Sequence, residues 1–183
     1  MSIAFLDVHY QGRGARAACV LAESWEAESP AASFVQDIET VAAYEPGNFY
    51  RRELPCLLSV LSLLPAPPEV VVIDGYVWLS STDRPGLGAR LYEALGPYET
   101  GLSAPVIGIA KTAFAGAESA ACILQVVRGG SRRLLFVTAI GIAPEIAAQH
   151  VRGMAGKHRI PDILRMTDSL ARGRAAPTGV YPA

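Results

Sequence analysis

Residues 70–81 read VVVIDGYVWLSS, and the fold turns on how that stretch divides. Val70, Val71, Val72 and Ile73 are β-branched and form a run too short for a buried helix, which predicts a strand covered on both faces. Asp74 then stands at its carboxyl end, and Gly75 can supply the positive φ of a tight turn. A lone Asp there is as readily turn chemistry as anything else. The same grammar occurs twice more, because IAFLD ends on Asp7 and VIGIA leads into Lys111. Apolar runs thus deliver charges to several strand ends.

Working outward, strand-like runs over 3–9 and 16–22 flank QGRGAR, a link suited to a hairpin, and a run over 33–41 extends it into a meander. Residues 50–64 place Leu54, Leu57, Leu58, Leu61 and Leu64 on one helical arc, which Pro65, Pro67 and Pro68 end. Beyond Asp74 come a loop rich in Ser, Pro and Gly, a helix over 88–95 and a strand over 105–110. Strands over 120–127 and 133–139 flank the turn-forming pair Gly129 and Gly130. A helix over 144–154 follows, and another begins with Asp162 as N-cap and ends before Gly173. This order predicts an α/β fold, a mixed central sheet flanked by helices. Residues 1–174 are expected to form one domain and 175–183, rich in turn formers, a flexible C-terminal tail.

Composition narrows the functional classes. With 183 residues and 51% hydrophobic content the chain can bury a substantial core. Sixteen basic against seventeen acidic residues, a net charge of -1, leave no global basic field for non-specific nucleic-acid binding, so a polyanion must be held locally. Cys19, Cys56 and Cys122 are widely spaced and show no C-x-x-C pair, which argues against a disulfide framework or zinc site. No stretch holds the ~18 uninterrupted apolar residues of a membrane span. A cytoplasmic monomer is expected, with no membrane partner.

In mixed sheets chemistry collects at strand carboxyl ends. Asp7 and Asp74 facing each other there would repel unless a cation lay between them, and hard oxygen donors select Mg²⁺ or Mn²⁺ over zinc. Glu53 borders the leucine arc of its helix, which aims a carboxylate toward the sheet. Asp168, at the margin of the last helix's apolar arc, is a further candidate.

These residues carry a resemblance. FLDVHY, YEPGNFYRRELP, VVVIDG, PVIGIAKTAFAG and HRIPDILRMTDSLARG, in this order and spacing, resemble the endonuclease V family. The resemblance implies a ribonuclease-H-like fold and a metal-dependent nuclease that cuts inosine-containing DNA or RNA. It implies a nick with 3′-hydroxyl and 5′-phosphate ends, one nucleotide beyond the first bond 3′ to the inosine. Asp7, Glu53 and Asp74 match the family's metal-binding carboxylates, Lys111 its active-site lysine, and Asp168 a position where members carry His or Asp. The same match makes Tyr44, Pro46, Gly47, Arg52, Gly75, Gly88 and Ala110 candidate nucleic-acid contacts.

The chain also departs from the pattern. After the strand-end Asp the family resembles DGxGxxHPRxxG, whereas here the turn reads DGYVWLSSTDRPGLG, about three residues longer, with Val77 in place of a glycine and no His. A side chain at Val77 is expected either to narrow a base pocket, so that Val77→Gly raises inosine preference by about ten-fold, or simply to pack the sheet edge together with Trp78. The wedge that resembles PYIP reads AYEP, and Ile140-Gly141-Ile142 stands where Gly-His is common. Arg51, Arg52, Arg84, Arg90, Lys157 and Arg159 could meet phosphates as a cluster. Two alternatives therefore stand beside the inosine-directed nuclease: a non-catalytic nucleic-acid-binding descendant, and a structure-specific nuclease without inosine recognition.

Overall fold

The computed structural model describes residues 1–43, 45, 47–79, 84–97, 103–114 and 122–178. Alternation of apolar residues builds the opening meander. β1 (Ile3–Gln11) pairs antiparallel with β2 (Gly14–Ala22) across a turn in which Gly12 takes a φ of +59°, and β3 (Ala32–Ile38) extends the sheet on the far side of β2. α1 (Tyr50–Leu61) then leads to β4 (Val70–Asp74), which lies parallel to β1, and α2 (Leu87–Leu95) leads to β5 (Val106–Ala110), parallel to β4. β6 (Leu124–Val126) and β7 (Leu135–Ile140) return antiparallel, and α3 (Pro144–Gly153) and α4 (Asp162–Ala171) complete the order. The sheet order is β3-β2-β1-β4-β5-β7-β6.

Both faces of this sheet are covered, as the β-branched β4 requires. Ile3, Phe5, Val72, Ile107 and Val137 pack under α3 and α4, while Ala4, Leu6, Val71, Ile73 and Val106 pack under α1 and α2. The register places the charges side by side, although Asp7, expected at a strand end, lies within β1, which its pairing with β2 carries on to Gln11; only the pairing of β1 with β4 stops before it. Leu6 pairs with Ile73, so Asp7 and Asp74 are the next residues on adjacent parallel strands, and Asp74 pairs with Ile109, two residues before Lys111.

Local differences from the sequence expectations have local causes. α1 stops at Leu61, and residues 62–64 turn before the proline run. β6 keeps only Leu124–Val126 of the expected 120–127, part of which lies outside the described residues. Pro161, not Asp162, caps α4: its fixed backbone (φ -51°, ψ 146°) lets Asp162 enter as the first helical residue, with its N–H on the Ala155 carbonyl at 3.1 Å. Near the C-terminus, Thr178 accepts the Ser33 N–H at 2.8 Å and donates its own N–H to Ser33 Oγ at 2.7 Å, which ties this part of the tail to β3.

Candidate active site

Three carboxylates meet where β1, β4 and α1 converge. Asp7 and Asp74 follow the parity of Phe5 and Val72, toward α4, whose Leu164 and Thr167 close over them and leave a recess of about 10 Å³. Glu53 belongs to the buried stripe of α1 with Cys56, Leu57 and Val60, an i, i+3, i+4, i+7 spacing that carries it toward the sheet. It is 7% exposed, and its Oε2 is buried with no hydrogen-bond partner. Burial, and then the charges of Asp7 and Asp74, push the Glu53 carboxyl up to about 8. Burial and then Asp74 push Asp7 up to about 6, although the Val8 N–H donates to Asp7 Oδ1 at 2.8 Å and opposes the shift.

Cations hold the other two carboxylates. Lys111 Nζ donates to Asp74 Oδ2, and Arg172 Nε donates to Asp168 Oδ1 at 2.9 Å. Asp168 nevertheless acts on the same centre, since its charge contributes to the upward shift of Asp7. Among the described residues no three His, Cys, Asp or Glu side chains converge closely enough to hold one ion as they stand. The donor set still fits a hard divalent cation: every member is a carboxylate oxygen, two members are held in a state that favours the proton, and one buried oxygen has no partner.

The turn after Asp74 is a different environment. Val77 is fully buried among Leu6, Ile73 and Leu87, its N–H donates to Thr138 Oγ1 at 2.8 Å, and Trp78 Nε1 donates to the Ala139 carbonyl at 3.0 Å. Val77 therefore packs the sheet and is not among the residues lining the groove beside Asp74, so the structure gives no support to the expected gain from Val77→Gly. Gly108 makes the crossing possible, because a Cβ there would lie 2.5 Å from the Gly75 carbonyl oxygen and 2.9 Å from Val77 N. The longer turn includes residues 80–83, which lie outside the described residues; on either side of them Leu79 N–H meets the Arg84 carbonyl at 2.8 Å and Gly86 N–H meets that of Val77 at 2.7 Å. Gly88 N–H then bonds the Tyr76 carbonyl at 3.0 Å, and a Cβ on Gly88 would stand 2.6 Å from Val77 Cγ2. Its evident task in the fold is this close approach.

A groove of about 530 Å³ opens beside Asp74 and Gly75, lined by Phe49, Tyr50, Tyr76, Phe114, Arg84 and Arg90. Gly47 borders it with a φ of +82°. Tyr76 Oη donates to the Thr112 carbonyl at 2.8 Å and accepts the Phe114 N–H at 3.2 Å, which ties the turn after β4 to the segment after β5. Sequence reading passed over Phe49, Tyr50 and Phe114, whose only signal was being aromatic beside a candidate loop.

The remaining candidates scatter. Arg52 lies with its guanidinium carbon 4.0 Å from the Tyr10 ring centroid, and Ala110 is buried at the end of β5. Arg51 pairs with Glu45 at 3.1 Å, and Arg90 pairs with Glu93 at 3.1 Å. Lys157 stands apart, beside Glu28 and Arg165. Arg159 turns inward to the Lys111 and Leu134 carbonyls. Tyr44 and Pro46 lie outside the described residues.

With this geometry in place, similarity to known proteins is informative. A family model described as Endonuclease V matches residues 1–169. A curated endonuclease V of Streptomyces avermitilis is 34% identical over 147 residues, 70% of this chain and 60% of that protein, so the match spans under two thirds of the relative's length. The crystal structure of endonuclease V from the same organism superposes with a TM-score of 0.71 at 25% identity, covering 95% of this chain and 81% of that one. The endonuclease V of Ciona intestinalis, crystallised with a 24mer DNA containing an inosine followed by a ribo-adenosine, gives a TM-score of 0.75 at 20% identity over 94% of this chain and 84% of its own, a likeness of fold. The mixed sheet described above is the ribonuclease-H-like fold of these structures.

Proposed function

The chain belongs to the endonuclease V family, and from that premise we propose that it is a divalent-metal-dependent endonuclease acting on phosphodiester bonds near deaminated, inosine-type bases in DNA or RNA, a nucleic-acid repair activity. The observation that carries this reading is Glu53 Oε2, buried without a partner beside the raised carboxyl of Asp7. An unpaired buried acid costs several kcal/mol unless a ligand compensates it.

Asp7, Asp74 and Glu53 would hold Mg²⁺, or Mn²⁺ in its place, and Asp168 would orient or complete the set. A bound divalent ion supplies Lewis acidity that activates water and offsets charge on the leaving oxygen. The chain's own part is placement. Lys111 keeps an ammonium at the strand end, where negative charge grows on the scissile phosphate. Leu164 and Thr167 line the recess at Asp7 and Asp74, while Asp74 also opens onto the larger groove. The aromatic groove beside Gly75 suits stacking of an extruded base, and Arg84 and Arg90 suit its phosphates.

A second reading, a nucleic-acid-binding protein without catalysis, is favoured by one observation: Asp74 and Asp168 are already neutralised by Lys111 and Arg172. Purified protein offered single-inosine DNA and RNA, with uracil, mismatch and flap substrates alongside, separates the possibilities. The proposal expects a nick at inosine only with Mg²⁺ or Mn²⁺. Binding without any cut supports the second reading, and flap cutting that ignores inosine supports a structure-specific nuclease.

A further inference from the structure

Arg128 lies two residues beyond β6 and is only 8% exposed. Its guanidinium donates to five backbone carbonyls: Nη1 to those of His158 (2.9 Å) and Arg159 (3.4 Å), Nη2 to those of Met154, Ala155 (3.2 Å) and Gly156 (3.0 Å). All five belong to the irregular connection between α3 and α4. Gly129 tightens the same contact, since a Cβ there would fall 2.2 Å from the His158 carbonyl carbon. The Arg128 side chain thus braces the connection against the β6–β7 hairpin.

Arg159 uses that braced position for something else. Its Nη2 donates to the carbonyl of Lys111 and to that of Leu134, bridging the end of β5 to the start of β7. The main chain just after Lys111 is held from the opposite side, where Tyr76 Oη binds the Thr112 carbonyl and the Phe114 N–H. Lys111 is the first residue past β5, in a stretch with no ladder bonds, and it carries a long flexible stem. The ammonium itself is paired with Asp74, and fixing the backbone from which the stem departs further limits where it can reach.

We propose that Arg159 is a positioning residue for Lys111, with Arg128 holding the segment from which Arg159 acts. Neither arginine touches the reacting atoms. Both aim the ammonium at the strand end, and a misplacement of about 1 Å there can cost on the order of 100-fold in rate. The inference rests on the nuclease reading for its kinetic consequence, but not for its geometry.

Two measurements test it. In single-turnover cleavage of a single-inosine oligonucleotide, Arg159→Met is expected to lower the rate by about 10- to 100-fold with KM changed by less than about two-fold. In a Lys111→Ala background the same substitution is expected to change the rate by less than about two-fold, because its effect passes through the missing ammonium. Equal losses in both backgrounds would overturn the proposal. The second measurement needs no activity. The chain holds two lysines, Lys111 and Lys157, so reductive ¹³C-methylation of a Lys157→Arg chain leaves one lysine signal. Arg159→Met is expected to move that signal toward its position in the unfolded chain, and an unmoved signal overturns the proposal. If the protein cuts no substrate at all, the nuclease reading fails and the lysine signal alone decides the positioning. Should Arg159→Met not fold, Arg159→Gln, which cannot span both carbonyls and adds no lysine, is read the same way.

Discussion

The carboxylates around Asp7 and Asp74 and the turn that leaves β4 are neighbours, yet the two regions hold their polar groups in opposite ways. At the carboxylates, Glu53 keeps a buried oxygen without a partner among the described residues and Asp7 is desolvated beside Asp74. In the turn, Val77 N–H, Trp78 Nε1 and Tyr76 Oη each have a protein partner. Folding alone accounts for the second arrangement, because these three donors are satisfied within the protein. The first is costly for the protein by itself, which makes it the place to look for a ligand.

The sharpest way to break this contrast is to remove charge on one side and packing on the other. Asp74→Asn should lower inosine-directed cleavage by about 100-fold or more, measured at saturating Mg²⁺, while the melting temperature stays level or rises. Val77→Ala should do the reverse. Loss of two buried methyl groups costs about 2 kcal/mol, equivalent to a Tm lower by about 4–8 °C, with inosine preference unchanged. If Val77→Ala instead altered base preference and left Tm alone, the turn would belong to the pocket.

A smaller effect should appear in the pH dependence of the metal-free protein. The folded values of Asp7 and Glu53, about 6 and about 8, lie above their ordinary ones, so the folded chain binds extra protons in between. Stability from these groups is then complete below about pH 4 and is lost as pH rises through about 6 and about 8. Glu53→Gln removes the larger part of that loss. Its Tm should exceed that of the unsubstituted chain by about 2–4 °C at pH 9, on the order of 1 kcal/mol, and match it at pH 5. An equal Tm at pH 9 would mean that Glu53 is solvated and not held as described.

The same contrast explains what could be read before any coordinates. Asp74 and Lys111 were legible because residue type and strand end coincide, whereas Asp7, expected at a strand end, lies inside β1, which its hairpin with β2 extends to Gln11. Glu53 was legible from its place beside the leucines of α1. The turn was not. Whether Val77 narrows a pocket or fills the core depends on the chain crossing β5 over Gly108, a contact 31 residues away in sequence, and no local pattern carries it. Arg128 was missed, and Arg159 was expected to meet phosphates, for a related reason. An arginine that serves backbone carbonyls looks, in sequence, like one that serves water, and only the path of the α3–α4 connection distinguishes them. The extent of β6 and the capping of α4 were missed on a smaller scale, where Pro161 took the place expected for Asp162.

That Asp7, Glu53 and Asp74 form a divalent cation site is tested most directly by calorimetric titration of Mn²⁺ into the metal-free protein at pH 7. Glu53, held near 8, is mostly protonated at that pH and must lose its proton to act as a ligand. Repeating the titration in buffers of different ionisation enthalpy should therefore show release of about one proton per protein on binding, with binding abolished in Asp7→Asn. Heats that do not depend on the buffer, or undiminished binding by Asp7→Asn, would contradict the account.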